Sequence, residues 1–177
     1  RVAAACLVYD DAGQRVARYD KIHLFDVDVP GKNERYRESS TIEPGRTPVV
    51  LDTPAGRLGL SVCYDIRFPE LFRAMSAVDL LVVPAAFTET TGRAHWEVLL
   101  RARAIENLCY VVGVNRVGKD GNGATYGGDS VALDFLGQPL SSEGGGDRVE
   151  TAVLDLESLR AYRQSFPAQL DADRFEL

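Results

Sequence analysis

The succession of strand, helix and strand between residues 57 and 115 most constrains how this 177-residue chain can fold. Residues 57–62 and 79–84 are short, largely apolar segments of the kind that forms buried strands. Residues 69–77 begin with proline and glutamate, which suit the first turn of a helix. Apolar residues at helical spacing predict a second helix over residues 94–108. Because helices that join successive strands produce parallel pairing, this order predicts an α/β domain with a mixed sheet.

The flanking segments are predicted mainly from turn residues and apolar alternation. A strand is expected over residues 2–9, and its hairpin partner is expected over residues 15–25. Prolines and glycines interrupt residues 26–48, which predicts a long, functional surface loop. A further strand is expected over residues 148–154 and a last helix over residues 157–164. No repeat or change of composition divides the sequence, so the whole chain is predicted to be a single domain.

Composition excludes several classes of function. The 20 basic and 26 acidic side chains leave a net charge of −6, without a basic cluster, so no nucleic-acid partner is predicted. The longest apolar run, residues 80–87, is far shorter than the ~20 residues of a membrane-spanning helix, so no membrane partner is predicted. Cys6, Cys63 and Cys109 are far apart and form no metal-binding pair. Reduced thiols and a cytoplasmic location are therefore expected, without a structural metal.

Cys63 is the candidate nucleophile. It stands at the carboxyl end of a predicted strand and just before a helix, where open α/β sheets place reactive groups. A helix start stabilises a thiolate, which makes nucleophilic chemistry reasonable. The alternative is a packed apolar cysteine, the usual state of a free thiol. Cys6 and Cys109 lie among apolar neighbours and are predicted to be core residues.

Four other side chains are candidate functional groups. Lys21 interrupts an apolar strand, so it is either an edge residue that reaches solvent or a cation held inside. Glu38 lies in the polar loop, where a carboxylate is solvated by default. His23 and His95 permit a competing Cys/His dyad, although a structural hydrogen-bonding role is more frequent for such histidines. The glycines of residues 121–128 fit neither dinucleotide-binding nor P-loop spacing.

Several segments together resemble the nitrilase superfamily of carbon–nitrogen hydrolases. Residues 19–25 (YDKIHLF) are similar to its lysine strand, and residues 36–39 (YRES) to its second-glutamate segment. Residues 59–70 (GLSVCYDIRFPE) resemble its nucleophile elbow. Residues 95–107 (HWEVLLRARAIEN) are similar to a helix of the omega-amidase and deaminated-glutathione amidase branch. Residues 115–130 look most like bacterial 2-oxoglutaramate amidases.

The resemblance implies a fold and a catalytic set. The fold is an α/β, nitrilase-like αββα sandwich with mixed β-sheets, of which this chain covers the larger C-terminal part. By position, Cys63 is the nucleophile, Lys21 the cation beside the developing oxyanion and Glu38 the second carboxylate. The backbone N–H of Tyr64 is a second oxyanion donor. The resemblance implies neither a cofactor nor a metal, and it implies a homodimer.

The family's first glutamate, its general base and acid, has no matching residue in this sequence. In the family it lies upstream of the strand expected at residues 2–9, so we expect the domain to be truncated on its N-terminal side. The strands that cover the sheet would then be missing as well. We therefore expect apolar surface around residues 2–8 to be exposed.

The predicted function is cysteine-dependent hydrolysis of a small terminal amide through a thioester, with release of ammonia. The omega-amide of a 2-oxo acid is the expected substrate, and deaminated glutathione or an N-carbamoyl compound is the alternative. A non-catalytic binding or scaffold member of the fold is the second alternative. Four residues are expected to line the pocket because of their place after the strand at residues 79–84, with rim packing as the alternative role: Phe87, Thr88, His95 and Trp96.

Overall fold

The computed structural model describes residues 1–29, 35–140 and 149–173. Within these ranges the strands are β1 (Ala5–Tyr9), β2 (Arg15–Asp20), β3 (Asp26–Asp28), β4 (Arg35–Arg37), β5 (Val49–Thr53), β6 (Gly56–Leu60), β7 (Leu80–Ala85), β8 (Tyr110–Asn115), β9 (Val117–Lys119), β10 (Thr125–Gly127) and β11 (Val131–Leu133). The helices are α1 (Pro69–Met75), α2 (Glu89–Asn107) and α3 (Leu156–Ser165). Short 3-10 helices occupy Glu38–Ser40 and Cys63–Arg67.

Five strands form the central sheet in the order β11, β8, β7, β6 and β5. Strands β6, β7 and β8 are parallel, whereas β5 and β11 are antiparallel to their neighbours. Helix α1 connects β6 to β7, and α2 connects β7 to β8. The predicted α/β domain with a mixed sheet is confirmed, and the arrangement is consistent with an αββα sandwich.

Helices α1 and α2 bury one face of this sheet. Leu81 and Val83 from β7 and Val111 from β8 are fully buried there, together with Leu100 and Trp96 from α2. Burial of each such side chain stabilises the fold by about 1.5–3 kcal/mol relative to exposure. The core therefore fixes α2 across the parallel strands, whose carboxyl ends carry the candidate site.

Gly113 allows α2 to approach the sheet closely. A Cβ at this position would lie 2.6 Å from Cδ1 of Leu100 and 2.9 Å from Cζ2 of Trp96, which is closer than side chains tolerate. An alanine here would push the helix away from β8. Since α2 begins just after Thr88, which borders the candidate site, this packing also positions that residue.

The opposite face of the sheet is less covered. Val114 of β8 is 56% exposed, although it belongs to a central strand. Val2 and Leu7, near the start of the chain, are 65% and 41% exposed. The expected apolar surface around residues 2–8 is therefore present.

The hairpin of β1 and β2 is confirmed, but both predicted segments were too long. Residues 2–4 precede β1, and Val2 makes only an isolated bridge with Ile42. The second strand ends at Asp20, and the backbone partners change at the next residue: the N–H of Lys21 still donates to Ala4, beside β1, whereas its carbonyl accepts from Gly45 outside the hairpin. Lys21 thus lies where the hairpin ends.

The prediction of a long loop over residues 26–48 is wrong in part. Its described residues include the hairpin of β3 and β4 and the 3-10 helix at Glu38–Ser40, while residues 30–34 lie outside the described ranges. Two aspartates organise it: Asp28 accepts from Arg37 at 2.8 and 2.9 Å, and Asp26 accepts from the N–H of Ser39 at 3.0 Å. These pairings involve polar side chains, which hydrophobic periodicity does not register.

Two other boundaries need correction. Helix α2 begins at Glu89 rather than at residue 94. An Arg93–Glu89 ion pair spans its first turn, and apolar spacing did not indicate this turn. The strand expected over residues 148–154 is not found: residues 149–154 have no regular structure, and Arg148 lies outside the described ranges. By contrast, α1 and α3 lie within two residues of their predicted limits. Of the helices described, none has the length and apolar character needed to cross a bilayer.

Candidate active site

Cys63 lies in the turn that follows β6, at the carboxyl edge of the sheet. The chain leaves β6 through Ser61 and the extended Val62, and Cys63 then adopts a φ of +51° as the first residue of a 3-10 helix. A left-handed backbone is unfavourable for a residue with a side chain and persists where the surrounding structure imposes it. Sequence reasoning placed Cys63 at this strand end, and the structure agrees.

Lys21 is buried, which answers the question the sequence left open. Its side chain is 3% exposed, and its Nζ donates to Oε2 of Glu38 at 2.5 Å. The same oxygen accepts from the backbone N–H of Phe25 at 2.6 Å. Glu38 begins a 3-10 helix that holds it against the lysine. The polar loop therefore delivers a carboxylate that is committed to two donors rather than solvated.

The thiol of Cys63 lies within electrostatic range of this pair. Burial raises its pKa above the ordinary value, while the Lys21 ammonium lowers it, and backbone hydrogen bonds from Ala86 and Tyr64 act in the same direction as the lysine. The negative charge of Glu38 acts in the opposite direction to these three and raises the pKa. Because burial is the largest contribution, the pKa remains raised. The expected stabilisation of a thiolate is thus outweighed, and the thiol needs a base to lose its proton.

Asp65, which the sequence analysis did not single out, connects the nucleophile segment to the lysine segment. Its fully buried carboxylate accepts from the Tyr19 hydroxyl at 2.7 Å and from the Val62 N–H at 2.9 Å. It also accepts from the backbone N–H of His23 at 3.0 Å and contacts Nδ1 of its ring at 2.8 Å. Burial and the hydrogen bond to Asp65 raise the pKa of the Tyr19 phenol, so the hydroxyl keeps its proton and remains a donor. A polar residue inside a strand–helix turn was the available sequence signal.

A small cavity of about 20 Å³ opens beside Cys63, which is room for about one water molecule. Its walls are Phe25, Cys63, Tyr64, Ala86, Phe87, Thr88 and Thr91. Of the four residues predicted to line the pocket, Phe87 and Thr88 do so. Thr88 also borders a second, polar cavity of about 470 Å³ that includes Arg35, Glu89 and residues 122–125. Thr88 thus lines both spaces.

His95 and Trp96 lie elsewhere. Trp96 is buried behind Phe87, with ring centroids 5.1 Å apart, and its indole N–H donates to the carbonyl of Asp129 at 2.8 Å. His95 is exposed, and its Nδ1 lies 3.2 Å from Nη2 of Arg67. Neither residue borders the cavity beside Cys63. Trp96 packs against Phe87, a wall residue of that cavity, whereas His95 contacts Arg67.

The geometry does not favour a Cys/His dyad. The ring of His23 stacks on Phe68 at 3.7 Å, and its Nδ1 is engaged with Asp65 at 2.8 Å. His95 faces Arg67 on the surface. Both histidines thus have structural partners that account for their positions.

Asn115 is a second buried polar residue that sequence reasoning missed. Its Oδ1 accepts from the N–H of Phe87 at 2.7 Å, and its Nδ2 donates to the carbonyl of Gly128 at 2.7 Å. It therefore fixes the segment after β7, which supplies the Ala86 amide to Cys63. An asparagine that ends a buried strand was the available signal in the sequence.

Arg67 places a half-buried cation near the site. Its guanidinium lies over the rings of Phe87 and Tyr64, 5.2 and 5.8 Å from their centroids. Among the residues that the structure describes, no carboxylate pairs with it. Burial lowers its pKa, whereas Tyr64 and Cys63 raise it.

A further cavity, of about 280 Å³, lies away from Cys63 and is largely apolar. It is bordered by β8, β11 and residues 150–154. The described residues that line it include no cysteine, histidine or lysine, so we place the chemistry at the smaller cavity beside Cys63. Within the described ranges, no cluster of three or more His, Cys, Asp or Glu side chains is arranged to hold a metal ion.

The sequence matches the model of a known protein family. Residues 2–164 match the model of the carbon–nitrogen hydrolase family. This range contains the Cys63 turn, Lys21 and Glu38, together with the whole central sheet.

Individual relatives are similar over most of the chain. A Yersinia enterocolitica protein named deaminated glutathione amidase is 43% identical over 176 residues, covering 98% of this chain and 61% of that protein. The omega-amidase NIT2 of Homo sapiens is 41% identical over 164 residues, covering 92% and 59%. The chain thus spans about three fifths of the length of these relatives.

A solved structure shows the same fold. XC1258 from Xanthomonas campestris, described as a CN-hydrolase superfamily protein with an arsenic adduct in the active site, aligns with a TM-score of 0.84. It is 38% identical, and the alignment covers 99% of this chain and 65% of that one.

Proposed function

Because this chain belongs to the carbon–nitrogen hydrolase family, we propose that its full-length gene product hydrolyses a small terminal amide and releases ammonia. By full-length gene product we mean these 177 residues with any coding sequence that adjoins them. The observation that carries the proposal is the convergence of three groups distant in sequence: the Cys63 thiol, the buried Lys21 ammonium and the Glu38 carboxylate. The names of the two relatives, both amidases, support it.

The proposed reaction assigns a role to each group. The Cys63 sulfur attacks the amide carbon while its proton passes to a base. Negative charge then develops on the carbonyl oxygen, and Lys21 and the Tyr64 N–H donate hydrogen bonds to it. The carbon–nitrogen bond breaks, and the nitrogen takes up a proton and leaves as ammonia. Water hydrolyses the resulting thioester to the acid and restores the thiol.

Proton transfer needs a carboxylate other than Glu38. The raised pKa of Cys63 requires a base, and both ammonia and water require proton transfers, which are worth about 10²–10⁴ in rate. Glu38 already accepts from Lys21 and Phe25. We therefore assign Glu38 to orienting Lys21 and expect the base to lie outside the described residues. Ammonia release by the 177 residues alone at the rate of a longer gene product would contradict this assignment.

The proposed substrate is the omega-amide of a 2-oxo acid. Such a compound is small and carries a carboxylate at the end opposite the amide. We assign the anion to the half-buried Arg67, whose guanidinium lies over the ring of Phe87, a wall of the cavity beside Cys63. A cation of this kind has no use in binding a simple nitrile.

Deaminated glutathione is the second candidate substrate, and one observation favours it. The polar cavity of about 470 Å³ shares Thr88 with the Cys63 cavity, and a longer substrate would extend into it beyond the reacting amide. The name of the Yersinia enterocolitica relative points the same way.

A competition assay tests the function and separates the substrates. The full-length gene product is given 2-oxoglutaramate, deaminated glutathione and a simple nitrile, and ammonia release is measured with wild-type and Cys63→Ser protein. We expect the 2-oxo acid amide to be preferred and the variant to be inactive. A preference for deaminated glutathione would select the second substrate. Binding of both amides without ammonia release would support a non-catalytic member of the fold.

We also propose a cytoplasmic homodimer. Three free cysteines, which suit a reducing compartment, and the family resemblance support it. Sedimentation at micromolar concentration is expected to show a dimer, and a monomer at every concentration would contradict this.

A further inference from the structure

We propose that Asp65 is a positioning residue, which fixes the Lys21 ammonium relative to the Cys63 sulfur. The inference rests on the proposed function, because it concerns the geometry of the same two groups. Asp65 touches neither reacting atom, so any effect on the reaction passes through its hydrogen-bond partners.

The partners of Asp65 flank the two reacting groups. Tyr19 and His23 lie two residues before and two residues after Lys21, and both donate to the carboxylate. Val62, which immediately precedes Cys63, donates its backbone N–H to the same carboxylate at 2.9 Å. One buried side chain thus joins both sides of the lysine to the approach to the nucleophile.

The two carboxylate oxygens divide these contacts. Oδ2 accepts from the Tyr19 hydroxyl and the Val62 N–H, and Oδ1 contacts the backbone N–H and ring of His23. The ring of His23 also stacks on Phe68, which ends the turn that begins at Cys63. The carboxylate is 0% exposed, so water cannot replace a lost partner without local opening.

Fixed geometry matters here because Lys21 lies where the β1–β2 hairpin ends. Its backbone is held by Ala4 and Gly45, and its side chain by Glu38. None of these contacts involves the Cys63 segment, whereas the contacts of Asp65 do. A displacement of ~1 Å between catalytic groups costs about 10²-fold in rate. We therefore expect loss of Asp65 to affect the chemical step more than substrate binding.

The test compares Asp65→Asn with Asp79→Asn in the full-length gene product. The amide introduced by Asp65→Asn has a nitrogen in place of one acceptor oxygen, so in neither orientation can it accept from all the present donors. It loses either Tyr19 and Val62 or the backbone N–H of His23, and in both cases the connection between the two segments is weakened. Asp79 provides a matched control: its carboxylate accepts from the Arg57 N–H at 2.9 Å and from Arg163 at 2.9 Å. It precedes β7 at the other end of the sheet, so its loss destabilises the fold without moving Cys63 or Lys21.

Two readouts distinguish positioning from structural support. For Asp65→Asn we expect kcat to fall by about 10²-fold with KM within about twofold. The apparent pKa of Cys63 alkylation by iodoacetamide should rise, because a displaced Lys21 no longer favours the thiolate. Three other groups interact electrostatically with this thiol, and neither variant substitutes them: Glu38, Arg67 and Tyr126. Asp79→Asn should leave kcat and the alkylation profile unchanged.

Each other result overturns the proposal. Unchanged kcat and alkylation pKa in folded Asp65→Asn would mean that the residue only stabilises the fold. A lowered alkylation pKa would mean that Asp65 acts through its own negative charge. If Asp65→Asn fails to fold, Tyr19→Phe removes one donor to the carboxylate, and we expect kcat to fall by about 3–10-fold; no change would contradict the proposal. Failure of the proposed function is seen separately, as wild-type protein that releases no ammonia while its alkylation profile still differs from that of Asp65→Asn.

Discussion

Cys63 and Cys109 lie near opposite ends of the same parallel strands, and the thiols of both are largely shielded from solvent. Cys63 follows β6 at the carboxyl edge, and Cys109 precedes β8 at the amino edge. Burial raises the pKa of Cys109 to about 12, with Arg163 opposing the rise. Burial also raises the pKa of Cys63, but Lys21 and two backbone amides oppose it. The surroundings, rather than the residue type, make these two cysteines different.

The difference shows what turns a packed cysteine into a candidate nucleophile. Cys109 is 0% exposed and belongs to the apolar core. Cys63 borders a cavity and adopts a left-handed backbone that the surrounding turn imposes. A nearby cation, backbone amide donors and an adjoining cavity therefore distinguish Cys63 from a thiol that only fills volume.

The largest expected effect separates the two cysteines directly. In the full-length gene product, Cys63→Ala should lower ammonia release by at least about 10⁴-fold, because it removes the attacking atom. Cys109→Ala should retain turnover and lower the free energy of unfolding by about 1–2 kcal/mol, because it leaves a small void in the core. Ammonia assays and urea unfolding measure both effects. Turnover that persists in Cys63→Ala and is lost in Cys109→Ala would mean that Cys109 is the reactive thiol and Cys63 is not.

The next effect tests the cation. Lys21→Met should lower turnover by about 10²–10³-fold, the cost of losing one oxyanion donor. It should also raise the pKa at which iodoacetamide alkylates Cys63, since the ammonium favours the thiolate. Lys119→Met is the matched control, because Lys119 is exposed in β9. An unchanged alkylation profile in Lys21→Met would show that the Lys21 ammonium does not affect the pKa of the Cys63 thiol.

A third prediction uses pH to examine Cys109. A thiol with an ordinary pKa of 9.0 in the unfolded chain and about 12 when folded binds its proton more tightly in the folded state. Its stabilising contribution is complete below pH 9.0 and is lost as the pH rises toward 12. Between pH 8 and 10.5 we expect wild-type protein to lose about 2 kcal/mol more unfolding free energy than Cys109→Ala. Parallel losses in urea titrations would contradict the buried state of this thiol.

The smallest expected effect concerns the histidine nearest the lysine. His23→Ala removes a ring that stacks on Phe68 and contacts Asp65, so it should cost about 1–3 kcal/mol of unfolding free energy. Its backbone N–H to Asp65 remains, and turnover should stay within about tenfold of wild type. Thermal unfolding and ammonia release are measured on the same preparation. A loss of turnover as large as that of Lys21→Met would restore the Cys/His dyad.

Local sequence patterns were sufficient for the sheet and for the position of Cys63. Strand periodicity and the proline at the start of α1 are short-range signals, and they place the cysteine at a strand end. The state of Lys21 could not be predicted in this way, because its burial depends on Glu38, 17 residues away. The family resemblance grouped these residues, and the structure supplied the contact.

The remaining errors have a common cause. Asp65 and Asn115 were missed because their partners lie between 13 and 46 residues away, apart from the Val62 contact of Asp65. The β3–β4 hairpin was missed because pairs such as Arg37–Asp28 stabilise it, rather than apolar alternation. Long-range polar contacts thus determine much of this site, and hydrophobic periodicity carries no information on them.

Trapping the covalent intermediate tests the central claim most directly. Full-length gene product is mixed with 2-oxoglutaramate or deaminated glutathione, quenched in acid during turnover, digested and analysed by mass spectrometry. The account predicts an acyl group on Cys63, none on Cys109 and none in Cys63→Ser protein. Ammonia release without an acyl group on Cys63, or with the acyl group on another residue, would contradict it.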